Sequence, residues 1–152
     1  MTLVIEGATE RDLPEITAIE RAAFADPWIA EAFRQSFGHS AVYFACGRRD
    51  DGQVVGYVVA WFAGGEGEIA NLAVLPSAWG TGVGRQLLAA ALAEAAARST
   101  TAVYLEVRES NSRARQLYAA NGFEEVGRRR AYYRRPVEDA IVLRRTLSGA
   151  TT

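Results

Sequence analysis

The sequence predicts an α/β (α+β) fold: a mixed central sheet of about seven strands flanked by about four helices. Three observations lead there. Apolar runs such as Val54 to Phe62 and Ala102 to Val107 suit buried strands, and they alternate with Ala- and Leu-rich stretches of helical spacing. Turn signals at Asp51-Gly52 and Gly64-Gly65 join consecutive strands into hairpins, which are antiparallel. Strand–helix–strand passages in the second half favour parallel neighbours, so the sheet must be mixed.

Each element can be justified in order. Leu3 to Ala8 reads as a short strand. Thr9-Glu10-Arg11-Asp12 opens a helix, with Thr9 expected to accept a free backbone N–H and the acids placed at the positive helix end. Leu13, Ile16, Ile19, Ala23 and Phe24 form its apolar stripe. Asp26-Pro27-Trp28 opens a second helix, Pro27 lying in its first turn and Gly38 stopping it. Val42 to Cys46, Val54 to Phe62 and Glu68 to Leu75 are three strands, and Pro76 ends the last. A loop from Ser77 to Gly84 leads into a helix from about Val83 to Arg98. Ala102 to Val107 is a strand, Ser110-Asn111 caps a helix that ends at Asn121-Gly122, and Phe123 to Val126 and Ala140 to Leu147 are the final strands. The expected order is β-α-α-β-β-β-α-β-α-β-β. One domain over residues 1–147 with a loose tail over 148–152 accounts for the length.

Bulk composition excludes several classes. The net charge is −1, which gives no overall field toward nucleic acid or a membrane surface. All 17 basic residues are Arg. Cys46 is the single cysteine, so there is no internal disulfide and no Cys/His cluster for zinc. The start carries no secretory pattern and no stretch approaches the ~20 apolar residues of a spanning helix, so a soluble, cytoplasmic, metal-free protein is expected.

The most informative segment is Trp79-Gly80-Thr81-Gly82-Val83-Gly84-Arg85, between a buried strand and a helix. Its glycines let the backbone turn tightly and aim successive N–H groups into one concavity at a helix start, which suits a phosphate or pyrophosphate. An ordinary strand-to-helix turn would read the same way. The G-x-G-x-G spacing differs from the dinucleotide G-x-G-x-x-G, and a nucleoside-triphosphate loop needs a lysine that this chain lacks.

The run Asn71-Leu72-Ala73-Val74-Leu75-Pro76 followed by Gly80 to Leu88 resembles the acetyl-CoA motif of the GNAT acetyltransferases. Gly82 and Gly84 match that motif. Trp79 stands where the family has Gln or Arg, and Thr81 where a basic residue is common, which leaves Arg85 to support the phosphates. Leu105-Glu106-Val107-Arg108-Glu109-Ser110-Asn111, then Ala114, Leu117-Tyr118 and Asn121-Gly122-Phe123, resembles a second GNAT segment at family spacing. Arg129-Arg130-Ala131-Tyr132-Tyr133, Glu138-Asp139-Ala140 and Asp26-Pro27-Trp28 are similar to the ribosomal-protein-alanine N-acetyltransferase (RimI-like) branch.

That resemblance implies transfer of an acetyl group from acetyl-CoA to a protein N-terminal α-amine, with the N-terminal alanine of ribosomal protein S18 as a candidate partner. It implies Glu106 as base and Tyr118 as acid, with Glu68 a rival base. It implies cofactor contacts from Leu72, Ala73, Val74, Gly80, Thr81, Gly82, Val83, Gly84, Arg85, Asn111 and Tyr118. Trp28, Glu68, Asn71, Tyr132 and Tyr133 are the implied substrate contacts. Strand alternation independently puts Tyr104, Glu106 and Arg108 on one face. Plainer readings stand beside these: an ion-paired strand residue for Glu106, a core aromatic for Tyr118, a helix cap for Asn111 and a solvated hairpin for the run Arg128 to Arg130. Two alternatives stay open: a GNAT enzyme acting on a small amine or a lysine side chain, and a non-catalytic CoA-binding module.

Overall fold

In a computed structural model, the residues described are 2–147, and the tail expected over 148–152 lies outside them. The strands are β1 (Leu3–Gly7), β2 (Val42–Arg49), β3 (Val54–Ala63), β4 (Glu66–Val74), β5 (Ala102–Arg108), β6 (Glu124–Arg134) and β7 (Val137–Thr146). The helices are α1 (Leu13–Ala23), α2 (Ala30–Arg34), α3 (Val83–Ala97) and α4 (Ser112–Ala120), and their order along the chain is the predicted one. All seven strands form one mixed sheet in the order β1-β2-β3-β4-β5-β7-β6. β4 and β5 run parallel, and the other neighbours are antiparallel.

Two layers of helix cover the sheet. Leu13, Ile16 and Ile19 of α1 and Phe33 of α2 pack on Phe44, Tyr57 and Val59. On the opposite face Leu87, Leu88 and Ala91 of α3 and Tyr118 of α4 pack on Val58, Ala60 and Leu105. Complete burial of such a side chain contributes roughly 1.5–3 kcal/mol. β3, buried on both faces over its first seven residues, reads accordingly as a near-continuous apolar run. α3 lies so close over it that a Cβ on Gly56 would come within 2.8 Å of Leu87 Cδ1 and 3.0 Å of the Ala73 carbonyl.

Three local expectations are corrected. α2 spans only Ala30–Arg34, because the Trp28 N–H donates to the Glu20 carboxylate (2.9 Å) and holds the chain extended past Pro27. The chain does not enter α1 directly at Thr9: a short 3₁₀ turn at Glu10–Asp12 comes first, closed by a capping box in which the Thr9 side chain accepts from the Asp12 N–H and the Thr9 N–H donates to Asp12 Oδ2 (2.9 Å). β6 continues to Arg134 rather than stopping at Val126, since β7 pairs with it along that length and the arginine run is strand.

Candidate active site

The site begins where two strands part. β4 and β5 pair from Glu66↔Ala102 to Ile69↔Leu105 and no further. Beyond that point β4 continues along β3 to Val74, while β5 continues along β7 to Arg108. From Ala70 and Glu106 onward a gap opens between them, and the facing backbone groups of β4 have no β5 partner.

A bulge sits at the start of the gap. Asn71 lies opposite Val59 and Ile69 opposite Ala60, so Ala70 is an extra residue in β4. A one-residue insertion reverses the alternation of side chains that follow it. Glu68, opposite Trp61, therefore shares the α1 side of the sheet with Asn71 and Ala73, opposite Val59 and Tyr57. Leu72 and Val74 join the core on the α3 side. Glu68 also lies beside Tyr104, so Tyr104, Glu106 and Arg108 point to the α1 side, while Leu105 and Val107 are core on the other.

A cleft of about 1270 Å³ follows this gap. At one end is the glycine loop. Gly80 and Gly82 have φ of +78° and +89°, and Gly82 is the residue that caps α3. A Cβ at Gly80 would meet nothing within 4 Å, while one at Gly84 would press on Leu117 of α4 at 3.3 Å. The loop thus offers free helix-start N–H groups beside open space, a fit for a pyrophosphate, and the gap between β4 and β5 suits an extended pantetheine arm. The Trp79 indole N–H donates to the Val74 carbonyl at 3.0 Å, and the Arg113 guanidinium stacks 4.2 Å above that ring. Leu72, Ala73, Val74, Arg85 and Asn111 line the same cleft. Asn111 Oδ1 accepts from the Ala114 N–H (3.1 Å), so it is the helix cap as well. Thr81 and Val83 bring no side chain: the Thr81 hydroxyl donates to the Ala78 carbonyl, and Val83 is core. Neither side chain lines the cleft, so the backbone is what they offer it.

The other part of the cleft is built from side chains. Glu68, Asn71, Glu106, Trp28, Tyr132 and Tyr133 all line it. Glu106 pairs with the Arg129 guanidinium. Burial and the neighbouring Glu106 charge push the Glu68 carboxyl above its ordinary range. Burial, with Glu106 beside it, raises the Tyr133 hydroxyl to about 12. Arg108 lies flat on the Tyr133 ring, 4.2 Å from its centre, and donates to the carbonyls of Arg135 and Pro136, both at 3.1 Å. Tyr118 belongs to the opposite face: it packs edge-on against Phe123 with ring centres 5.6 Å apart, and burial raises its pKa. Glu106 and Tyr118 thus reach one cleft from opposite sides of the sheet.

Sequence reasoning did not single out Glu20, Arg108 or Arg129. Glu20 had a readable signal, an acid seven residues after Leu13 and four after Ile16 on the buried face of α1. Arg108 was legible only as sharing a strand face with Glu106, and Arg129 only as part of the arginine–tyrosine run, because the partners that hold them come from β7 and β5.

A mixed sheet split at its parallel pair, with a glycine loop at a helix start beside the split, is the arrangement of an acyl-CoA-binding transferase. The chain belongs to the Acetyltransferase (GNAT) family, whose sequence profile matches residues 13–123, and whose members take the acetyl group from acetyl-CoA. The chain is 35% identical over 149 residues to the N-alpha-acetyltransferase RimI of Mycobacterium tuberculosis, covering 94% of this chain and 92% of that one. It is 33% identical over 143 residues to the [ribosomal protein bS18]-alanine N-acetyltransferase of Escherichia coli, covering 91% and 94% of the two. The crystal structure of the ribosomal-protein-S18-alanine N-acetyltransferase from Escherichia coli superposes with a TM-score of 0.88 over 99% of both chains, at 30% identity.

Proposed function

We propose that this enzyme acetylates the N-terminal α-amine of a protein, with the N-terminal alanine of ribosomal protein bS18 as its acceptor. The observation that carries the reading is the two-sided gap, present in a chain that matches relatives named for that reaction over nearly their whole length. An acceptor that belongs to the ribosome places the work in the cytoplasm, in keeping with the lack of any helix long and apolar enough to cross a membrane among the described residues.

Acetyl-CoA supplies the thioester carbonyl, the electrophile. The glycine loop holds the pyrophosphate through backbone N–H groups, and β4 receives the arm along its free edge. The acceptor amine enters on the α1 side, where Glu106 takes its proton directly or through water. An α-amine, with a pKa near 7.7–8.0, is roughly a tenth neutral at pH 7, so a modest base suffices. A C–N bond forms as the C–S bond breaks, and on the α3 side Tyr118 gives its proton to the departing thiolate. Burial keeps that phenol protonated at neutral pH. Tyr132, Tyr133 and Trp28 form the walls against which the peptide lies.

The test is a peptide panel with acetyl-CoA, differing in first residue and including an acetyl-capped peptide with an internal lysine, with products located by mass spectrometry. Acetylation of free N-termini, alanine foremost, is expected. Modification of the capped peptide's lysine with free N-termini ignored would instead make the enzyme a side-chain acetyltransferase.

A further inference from the structure

The α1 side of the cleft rests on a carboxylate that the reaction above leaves unused. Glu20, on α1, is 1% exposed. Its Oε1 accepts from the Tyr57 hydroxyl and from Asn71 Nδ2 (2.7 Å), and its Oε2 accepts from the Trp28 N–H (2.9 Å). One side chain thereby ties together α1, β3, β4 and the segment before α2.

A carboxylate that accepts from Asn71 fixes which way the Asn71 amide faces. Nδ2 must point at Glu20, so Oδ1 points away from it, and among the described residues no donor meets Oδ1. Asn71 is half-buried and lines the cleft. It is the first residue after the Ala70 bulge, beside the place where β4 leaves β5, and Glu106 is the first β5 residue past that place. An acceptor oxygen there can take one N–H of an incoming amine and leave its lone pair turned toward the gap.

We propose that Glu20 is a positioning residue: by orienting the Asn71 amide it makes Asn71 Oδ1 the acceptor that holds the substrate amine, and through the Trp28 backbone it fixes the adjoining peptide wall. The inference rests on the amine-acetylation reading above. It also explains why an acid, rather than an amide, occupies the position. Glutamine is the same size but replaces one acceptor oxygen by an NH₂ donor. With donors from Trp28, Tyr57 and Asn71 already converging, the side-chain amide introduced by Glu20→Gln would face a donor with a donor. The cheapest relief is rotation of the Asn71 amide, which presents NH₂ to the amine in place of Oδ1.

Steady-state kinetics of Glu20→Gln with an N-terminal alanine peptide test this. The peptide KM should rise at least tenfold while the acetyl-CoA KM stays within twofold. Asn71→Leu, which keeps the branched skeleton and removes both the oxygen and the Nδ2 donor to Glu20, should raise the peptide KM to a similar extent. Adding Glu20→Gln to Asn71→Leu should change it by less than threefold, since the two act through one contact. Circular dichroism confirms folding of each variant, and Asn71→Leu with the double variant carries the test if Glu20→Gln alone does not fold. Equal rises in both KM values, or independent effects that multiply in the double variant, would overturn the proposal and leave Glu20 a packing residue. If wild type modifies no free N-terminus, the acetylation reading and this inference fall together; if wild type is active and Glu20→Gln matches it, only the inference falls.

Discussion

The two parts of the cleft are built on different principles. The part proposed for the cofactor uses backbone: a loop with left-handed glycines, a helix start and a strand edge freed from its neighbour. The part proposed for the acceptor uses side chains drawn from α1, β4, β5 and the β6–β7 hairpin, several of them held by another side chain. Backbone recognition asks only for the right conformation and empty space, so a site of this kind can carry Trp79 and Thr81 at positions where the resembled motif has Gln or Arg and a basic residue. Side-chain recognition asks for a set of partners, and loss of one partner disturbs the rest.

Four variants probe that contrast. Tyr118→Phe should have the largest effect, lowering turnover by about 10²–10⁴, the usual worth of a positioned proton-transfer group. Its ring packing is kept, so the unfolding midpoint should move by no more than a few degrees. Turnover near wild type would mean that the thiolate departs without this acid.

Glu106→Gln should lower turnover by about 10² at neutral pH and recover in part above the α-amine pKa near 8, where the amine is already neutral. A pH–rate profile at saturating acetyl-CoA reads both. If Glu106→Gln stays active while Glu68→Gln collapses, the base is Glu68.

Gly82→Val attacks the backbone part. Gly82 sits at φ +89°, and a Cβ there would meet Arg85 Nη2 at 3.2 Å. Titration calorimetry should show acetyl-CoA affinity reduced at least tenfold with the fold retained, the left-handed strain itself costing about 1–2 kcal/mol. Unchanged affinity would remove the loop from the site.

Glu68→Gln is expected to change turnover least, by no more than about threefold, a small share of what a proton-transfer group is worth. Its readout is stability against pH. The Glu68 carboxyl is raised in the fold, so its ionisation costs stability as pH climbs above the ordinary carboxylate value near 4.3. The glutamine variant escapes that cost. Its thermal midpoint relative to wild type should therefore rise as pH climbs from about 4 until the folded carboxyl is fully ionised.

What could be read in advance follows the same division. The strand and helix order, the glycine loop and the common face of Tyr104, Glu106 and Arg108 come from local pattern, and local pattern carries them. The Ala70 bulge leaves no local trace, because it is defined by which β3 residue each β4 residue meets. Strict alternation along β4 would send Asn71 to the α3 side, and only the extra residue brings it beside Glu68. α2 misled for a related reason: Pro27 suits a first turn, but the distant Glu20 had already claimed the next N–H. The hairpin arginines read as a solvated run and are exposed, while the pairing of Arg129 and Arg128 with acids on neighbouring strands was not legible.

The opening between β4 and β5 has a consequence for the chemistry's traffic. In the proposed reaction it serves as a doorway through a wall, with one reactant arriving from each room, so that both could stand at the threshold together and each product leave by its own side. Such a plan needs no place to store the acetyl group between visits. The chain's one thiol fits that economy of parts: Cys46 is buried on β2, away from the cleft, with burial and Asp12 pushing its pKa to about 11. A sulfur so buried and so poorly ionised makes a poor acetyl carrier, which accords with direct transfer from thioester to amine in the proposed reaction.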